Sequence, residues 1–353
     1  MDDSIEHRRE RYMPAVETRP GLRRGTIFLA LGAALAASAW IVRQRTLKAE
    51  REHPPVGRFM EVDGVRLHYV ERGQGQALLL LHGDGGMIQD FEVSGLLDEA
   101  AQNYRVIVFD RPGYGYSERP RNTVWTPQAQ ARLLHHALQQ LNIERPIVLG
   151  HSWGTLVALS LALDFPEDVS SLVLLSGYYY PTARMDVPLL SLLSIPIVGD
   201  LLRYTVLPLD VRMFWPALIR WLFSPADVPR GFSKNFPTWM CLRPSQMRAS
   251  LAETALLLPA VFSLSRHYHE IDMPVIMVAG ADDKHVHTRI HSERLHGELP
   301  QSELYEVRGA GHMIHHSAPR QVMNAIDRAA QAGRIAMQSM VQSQSLREIG
   351  SNI

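Results

Sequence analysis

From about residue 57 onward, short apolar runs alternate with helical stretches and glycine-containing turns, and this alternation predicts the fold class. The apolar runs have strand length and almost no polar interruption, which is typical of strands buried on both faces. They lie at 77–82, 104–110, 146–150, 170–177 and 274–280. Stretches with helical spacing separate them, at 91–102, 126–142 and 153–165. This order predicts an α/β fold with a mostly parallel central sheet flanked by helices.

Turn and capping residues mark the boundaries of several predicted elements. The stretch 58–72 is interpreted as two strands joined at Asp63-Gly64, a dipeptide that favours a tight β-hairpin. Thr126 and Pro127 fit a capping threonine followed by proline at the first helical position. The remaining predicted elements are a helical stretch at 288–298, a strand at 302–309 and a helix at 318–338.

The alternation stops between about residues 180 and 268, where the chain is apolar, helical in spacing and repeatedly broken by proline. We expect a helical segment inserted between two parts of one sheet to form a cap over the carboxyl ends of the strands, where ligands bind in such sheets. The predicted organisation is therefore a core at 56–179 and 269–340, a helical cap at 180–268 and a C-terminal tail at 341–353.

The first 55 residues differ from the rest, because a polar, arginine-rich segment leads into the uncharged run 25–42. As a helix this run is at the short end of the roughly 17–25 residues that span a bilayer. We predict a single N-terminal hydrophobic helix that anchors the chain in a membrane. Two alternatives stay open: Ala37-Ser38-Ala39 resembles a signal-cleavage site, which would mean export, or the run is a buried helix of the globular part. Arginines flank the run on both sides, so its orientation stays open.

Composition narrows the classes of partner. Thirty-six basic and thirty-six acidic residues cancel, so nothing in the charge indicates a nucleic acid or another polyanion. Cys241 is the single cysteine, which excludes an internal disulfide and a cysteine-based zinc site. The apolar fraction of 46% is that of a folded globular protein. The oligomeric state stays open.

Three residues at predicted strand ends carry candidate chemistry. Ser152 lies between Gly150 and Gly154 where a strand meets a helix, a pattern that pushes a serine oxygen out above the sheet. A serine nucleophile needs a base and an orienting carboxylate. Asp282-Asp283 and His312 follow the next strands in the order serine, acid, histidine, so we predict that they complete a catalytic triad with Ser152.

The stretch 57–338 resembles the α/β-hydrolase fold superfamily. The resemblance rests on "LHGDGG" (81–86), "FDRPGYGYSERP" (109–120), "GHSWGT" (150–155), "GADD" (280–283) and "GAGHM" (309–313). It implies an α/β-hydrolase fold with a helical cap. It implies Ser152 as nucleophile, His312 as general base and Asp283 as the acid, with Asp282 as the alternative.

The resemblance also implies an oxyanion hole built from two backbone N–H groups, those of Trp153 and of Asp84 or Gly85. A charged side chain at Asp84 would oppose the oxyanion by ~1 kcal/mol or more unless it is turned away or paired. Substrate-contacting residues are expected in the same loop and after a strand end, at Gly83, Gly85, Tyr178 and Tyr179. We predict neither cofactor nor metal; His285, His287 and His291 have metal-like spacing, but no carboxylate completes the set.

The predicted function is a serine hydrolase that acts through an acyl-enzyme on an ester or related acyl bond of a small hydrophobic substrate. Serine at position 152 argues against dehalogenase and epoxide hydrolase relatives, which use aspartate there. Three alternatives stay open: a proline-iminopeptidase-like enzyme, a carbon–carbon-bond hydrolase of the same fold, or a hydrolase-fold ligand-binding protein with little turnover.

Overall fold

A computed structural model gives the structure of residues 20–182, 193, 195 and 197–351. The described residues form one eight-stranded sheet in the order β1-β2-β4-β3-β5-β6-β7-β8. Pairing is antiparallel between β1 and β2 and between β2 and β4, and parallel from β4 to β8. The strands are β1 Arg58–Val62, β2 Val65–Arg72, β3 Gln76–Leu81, β4 Tyr104–Phe109, β5 Ile147–His151, β6 Ser171–Leu175, β7 Val275–Gly280 and β8 Ser302–Val307.

Helices cover both faces of this sheet, and a further group forms the cap. In chain order they are α1 Pro20–Glu52, α2 Ile88–Ser94, α3 Leu96–Ala100, α4 Pro127–Gln140, α5 Gly154–Asp164, α6 Val198–Tyr204, α7 Leu207–Phe223, α8 Arg230–Asn235, α9 Thr238–Cys241, α10 Pro244–Leu264, α11 Arg294–Glu298, α12 Ile314–Ser317 and α13 Pro319–Ser351. The predicted mostly parallel sheet flanked by helices, with an N-terminal apolar helix, is confirmed.

The alternation of side chains along each strand divides the core into two layers. Leu79 and Leu81 pack with residues of α4 and α5 on one face. Leu78 and Leu80 point the other way and pack with α2, α3 and α13. All four leucines are fully buried, and burial of a leucine side chain contributes about 1.5–3 kcal/mol. The continuous apolar runs in the sequence therefore reflect strands with a hydrophobic layer on each side.

Local signals match the predicted elements at several points. Asp63 and Gly64 have φ of 51° and 74°, as a two-residue turn between β1 and β2 requires. The Thr126 hydroxyl accepts a hydrogen bond from Ala129 N at 3.1 Å and caps α4.

Two expectations about helices need correction. The helix expected at 91–102 is two helices, because Gly95 between them has φ of +81° and ends α2. The last helix continues to Ser351 rather than ending at 338, so residues 341–351 of the expected tail are helical. His315 and His316 lie on the separate short helix α12, before the last helix begins at Pro319.

The N-terminal helix α1 is longer than the predicted 25–42 and has two parts. Residues 25–34 are exposed on all sides. From Leu35 onward one face is covered, with Val42 and Ala49 buried, and α1 contacts α6, α7 and α9 of the cap. Tyr116 Oη donates to His53 O at 2.6 Å just beyond the end of α1. The segment from residue 25 to 52 is long and apolar enough to cross a membrane, and 6% of its most apolar window is buried.

Candidate active site

Ser152 occupies a strained turn between β5 and α5. Its φ is +51°, a left-handed conformation that costs a non-glycine residue roughly 1–2 kcal/mol. A Cβ atom at Gly150 would lie 2.6 Å from Gly154 O, and one at Gly154 would lie 2.3 Å from Leu81 O. Both flanking glycines are therefore required by close backbone approach. Ser152 N donates to Leu175 O at 2.9 Å, which ties the turn to β6.

The structure brings the three predicted residues together at the carboxyl ends of the strands. His312 Nε2 lies 2.9 Å from Ser152 Oγ, and His312 Nδ1 lies 2.8 Å from Asp283 Oδ2. Asp283 comes from the loop after β7, and His312 from the loop after β8. With Nδ1–H donating to the carboxylate, Nε2 is free to accept the serine proton. This is the geometry that a serine nucleophile, its base and an orienting acid require.

Asp283, rather than Asp282, is the carboxylate beside the histidine. Asp283 Oδ1 also accepts hydrogen bonds from the backbone N–H groups of His285 and Val286, at 2.8 and 2.9 Å. Burial alone would raise the pKa of Asp283, but His312 and these two N–H groups outweigh burial and lower it. Asp282 is exposed and accepts from Gly309 N at 2.9 Å instead.

The loop after β3 packs directly on the nucleophile. A Cβ atom at Gly83 would lie 3.1 Å from Ser152 Cβ, which is closer than side chains normally pack. The loop backbone therefore lies directly against the serine. Among the described residues, neither Asp84 N nor Trp153 N donates a hydrogen bond to a protein acceptor. The N–H groups of Trp153 and Asp84, with Gly85 as the alternative to Asp84, stay the predicted oxyanion donors, and α5 begins just after the serine.

A buried histidine shapes this loop. His82 Nε2 accepts from Arg111 N at 3.0 Å, so Nδ1–H donates to Gly83 O at 2.8 Å. Burial, helped by the Arg111 charge, lowers the pKa of His82 to about 4. His82 is therefore neutral near pH 7 and holds the loop through two fixed hydrogen bonds.

The Asp84 carboxyl group turns toward the cap and is paired. Its Oδ1 lies 2.8 Å from Tyr114 Oη, whose single proton it shares with Glu253 Oε2 at 2.7 Å, although the residue as a whole is exposed. Burial of the carboxyl group and the nearby Glu253 charge raise the pKa of Asp84 to about 6. This contact holds the carboxyl group at Tyr114, but it does not cancel the charge that the group carries when it is ionised.

Glu253 of α10 joins the cap to the core beside the site, and sequence reasoning missed it. Its fully buried carboxylate accepts from Arg111 at 2.6 and 3.0 Å, from Tyr114 Oη at 2.7 Å and from Gln130 Nε2 at 2.8 Å. Burial opposes ionisation, but Arg111 and then Arg119 outweigh burial and lower the pKa of Glu253. Trp153 Nε1 donates to Glu253 O at 3.3 Å. A single acidic residue within an apolar helix was the signal available in the sequence.

The tyrosines expected to contact a substrate are buried just after the end of β6. Tyr179 is fully buried and packs in the core layer with Tyr268, and Tyr268 Oη donates to Tyr179 O at 2.9 Å. Tyr178 is 4% exposed, and its ring lies 4.3 Å from that of His291. Both side chains pack against neighbouring elements at the end of β6, and their contact with a substrate stays a prediction.

Residues able to hold a metal ion lie elsewhere than the sequence spacing suggested. His291 Nδ1 accepts from Tyr179 N at 3.1 Å, and His285 packs against the ring of Trp221. Asp90, His315 and His316 instead place one ligand atom each within 4.8 Å of one another, all buried. Asp90 accepts hydrogen bonds from both histidines, at 3.1 and 2.8 Å. These bonds fix α12, which follows His312, against α2.

Comparisons with known proteins agree with this architecture. The model of the alpha/beta hydrolase fold family matches residues 76–319. An uncharacterised protein of Mycobacterium tuberculosis is 29% identical over 308 residues, which cover 81% of this chain and 84% of that protein. A 2-hydroxymuconate semialdehyde hydrolase of Pseudomonas putida is 35% identical over 146 residues, 40% of this chain and 51% of that enzyme.

Among solved structures, one described as a membrane phospholipase A superposes with a TM-score of 0.61 at 20% identity, and covers 90% of this chain and 99% of its own. At that identity the likeness concerns the fold. The family match spans well over half of the present chain and includes β3 to β8, the cap and the three residues assembled at the strand ends. The chain belongs to the alpha/beta hydrolase fold family.

Proposed function

We propose that the chain is a serine hydrolase of carboxylic esters with a hydrophobic acyl group. The observation that carries this proposal is the pair of hydrogen bonds from Ser152 Oγ through His312 to Asp283, with distances of 2.9 and 2.8 Å. Among the described residues, the backbone N–H groups of Trp153 and Asp84 donate to no protein acceptor. A serine in a strained left-handed turn costs stability, and such strain is kept where the exposed hydroxyl has a use.

The reaction would proceed in two steps. Ser152 Oγ attacks the ester carbonyl while His312 Nε2 takes the hydroxyl proton, and the N–H groups of Trp153 and Asp84 receive the oxyanion. The tetrahedral intermediate expels the alcohol, which His312 protonates, and leaves an acyl-enzyme. Water then attacks the acyl-enzyme with His312 again as base, which releases the acid and the free serine. Loss of one oxyanion donor would slow the reaction by ~100–1000-fold.

The preference for a hydrophobic acyl group rests on the cap. Phe223 and Phe232 pack beside Met313, the residue after His312, and Leu222 O accepts from His312 N at 2.9 Å. The cap thus packs apolar side chains against Met313, the neighbour of the base His312 in sequence. An apolar wall at this position favours an acyl chain over a charged substrate.

We further propose that α1 anchors the enzyme in a membrane. The exposed apolar residues of α1 are joined by exposed apolar side chains on the cap helices that α1 contacts. On α6 and the residue before it these include Ile197 and Leu201, and on α7 Met213, Phe214 and Trp221. Release from membranes by carbonate extraction would rule out an integral α1, and N-terminal sequencing of the membrane-bound protein would separate an anchor from a cleaved signal.

The decisive test of the hydrolase assignment is labelling by a fluorophosphonate probe, which reacts with activated serines. We expect strong labelling of the wild type, none of Ser152→Ala, and hydrolysis of p-nitrophenyl esters that improves with acyl chain length. A wild type that is labelled no more than Ser152→Ala would instead support a ligand-binding protein. Turnover of an aminoacyl anilide in preference to esters would support the iminopeptidase-like alternative.

A carbon–carbon-bond hydrolase is the second candidate, because the chain is 35% identical over 146 residues to a 2-hydroxymuconate semialdehyde hydrolase. The same serine and histidine geometry could serve that reaction. Loss of the absorbance of 2-hydroxymuconate semialdehyde on addition of enzyme distinguishes the two. Ester turnover without that loss favours the esterase.

A further inference from the structure

A cleft lies away from Ser152, between the core and the outer side of the cap. Its walls come from the loop 119–125 of the core, from α6 and from α10, and its volume is about 380 Å³. We propose that this cleft binds a phosphate group that carries an apolar substituent, as in a phospholipid headgroup or an alkyl phosphate ester.

Positive charge dominates the cleft. Four of its residues are arginines, and one is an acid: Arg119, Arg121, Arg203 and Arg248, with Asp200. Asp200 is shared, since Arg203 donates to it at 2.6 Å and Arg121 at 3.3 and 3.4 Å. The Arg121 bonds are long and its side chain is 64% exposed, so Arg121 can turn to a ligand without breaking a strong pair.

Arg248 is the centre of the proposed site. In the part of the chain that the structure describes, no carboxylate lies within 4.0 Å of its guanidinium, which donates a single hydrogen bond, from Nη2 to Arg119 O at 2.6 Å. Burial lowers the pKa of Arg248, and the charges of Arg121, Arg119 and Arg203 lower it further. Asp200 offsets part of this repulsion, and Glu253 lies 3.6 Å from Arg119. A phosphate at Arg248 would offset more of it, and the planar set of guanidinium donors matches a phosphate.

The other residues that line the cleft are mostly apolar, which indicates that the ligand has an apolar part. Apolar residues complete the walls: Val124, Trp125, Ala252, Ala255 and Leu256. Val124 is 69% exposed. Ala252 and Leu256 flank Glu253 along α10, but Glu253 points into the core, so the cleft and the Ser152 site lie on different sides of α10. The cleft therefore fits an amphiphile, with its phosphate at Arg248 and its apolar part along α10.

The test measures binding to the full-length protein in dodecyl maltoside micelles by titration calorimetry. The probes are inorganic phosphate, glycerol 3-phosphate and butyl phosphate. We expect butyl phosphate to bind best, and Arg248→Gln and Arg121→Gln each to weaken its binding by about tenfold or more. Arg248→Lys, which keeps the charge but not the planar donors, should lose less. Arg58→Gln is the matched control, because Arg58 is exposed on the edge strand β1.

Micelles doped with phosphatidylglycerol or with phosphatidylcholine separate the two sources of the phosphate. Displacement of butyl phosphate by either lipid identifies a headgroup, and undisturbed binding identifies a soluble phosphoester. An absence of saturable binding by the wild type, or equal binding by Arg248→Gln and Arg121→Gln, would overturn the proposal. Ester hydrolysis should be unchanged in both variants, so failure here is distinguishable from failure of the Ser152 assignment.

Discussion

Two neighbouring regions of the molecule hold their charged groups by different means. One is the Ser152 site, and the other is the seam between core and cap, where Glu253 of α10 meets Arg111, Tyr114 and Gln130 of the core. At the Ser152 site, the Asp283 carboxylate is satisfied by two backbone N–H groups of its own loop and by one histidine. At the seam, the Glu253 carboxylate is satisfied entirely by side chains, from Arg111, Tyr114 and Gln130. None of these three is a neighbour of Glu253 in sequence.

This difference suggests that the Ser152 site determines the reaction rate and that the seam determines the folding free energy. Backbone turns set the position of the reacting groups, so the reacting atoms can be removed with little change in packing. The seam has no reacting atom, but it buries a complete ion pair, and removing one member leaves the other charged and unpaired. We therefore expect substitutions at the site to cost rate, and substitutions at the seam to cost folding free energy.

The largest effect should follow from Ser152→Ala. Removal of the hydroxyl abolishes acyl-enzyme formation, and kcat for a p-nitrophenyl ester should fall by about 10⁴–10⁶-fold. The free energy of unfolding should change by less than about 1 kcal/mol, because no packed group is lost. Ser160→Ala on α5 is the matched control, since its hydroxyl only donates to Leu156 O at 2.8 Å. A comparable loss of kcat in Ser160→Ala would contradict the assignment.

Asp283→Asn should have the next largest effect. The amide cannot hold His312 in the tautomer that leaves Nε2 free to accept a proton, so kcat should fall by about 10³–10⁴-fold. Asp282→Asn supplies the control, because Asp282 is exposed and its carboxylate accepts from Gly309 N on the surface. Steady-state kinetics of the two variants decide between the carboxylates, and a larger loss in Asp282→Asn would reverse them.

The same contrast explains what could be predicted from the sequence. Strands, the hairpin at Asp63-Gly64 and the turn at Ser152 depend on neighbouring residues, so apolar runs and glycines reveal them. The strand ends then bring Asp283 and His312 to Ser152 through topology alone.

The seam and the arginine cleft could not be predicted, because each joins side chains of the core to side chains of cap helices, as Arg111 joins Glu253 and the loop 119–125 meets α6 and α10. No local pattern in the sequence indicates how the cap packs on the core. Tyr178 and Tyr179 show a related limit. Their place at the end of β6 was predicted, but the direction of their side chains depends on packing against α10 and the loop near His291.

Glu253→Ala tests the seam directly. It leaves Arg111 charged and buried, and the free energy of unfolding should fall by about 3–5 kcal/mol in thermal or urea denaturation. Glu303→Ala breaks an exposed pair with Arg328 and should cost at most about 1 kcal/mol. Because the folded-state pKa of Glu253 is lowered, its contribution is present above the ordinary glutamate pKa of 4.5 and is lost as the pH falls below that value.

In the double variant Glu253→Leu with Arg111→Met, both charges are gone, and much of the lost stability should return. A double variant as unstable as the sum of the single variants would mean that the seam stabilises the fold through packing rather than through the ion pair.

Asp84→Asn addresses a residue that links the two regions, since Gly83 before it packs against Ser152 and its carboxyl group contacts Tyr114 of the seam. The pKa of Asp84 is raised to about 6, so the side chain is neutral at pH 5 and charged at pH 8. The charged form opposes an oxyanion at its own N–H by ~1 kcal/mol.

The ratio of kcat in Asp84→Asn to that of the wild type should therefore be close to one at pH 5 and rise to about fivefold at pH 8. Tyr114→Phe removes a hydrogen bond that favours the charged carboxylate, so the rise should move to higher pH in that background. A ratio that does not change with pH would show that the Asp84 charge is screened from the oxyanion, and that the site and the seam are electrostatically independent.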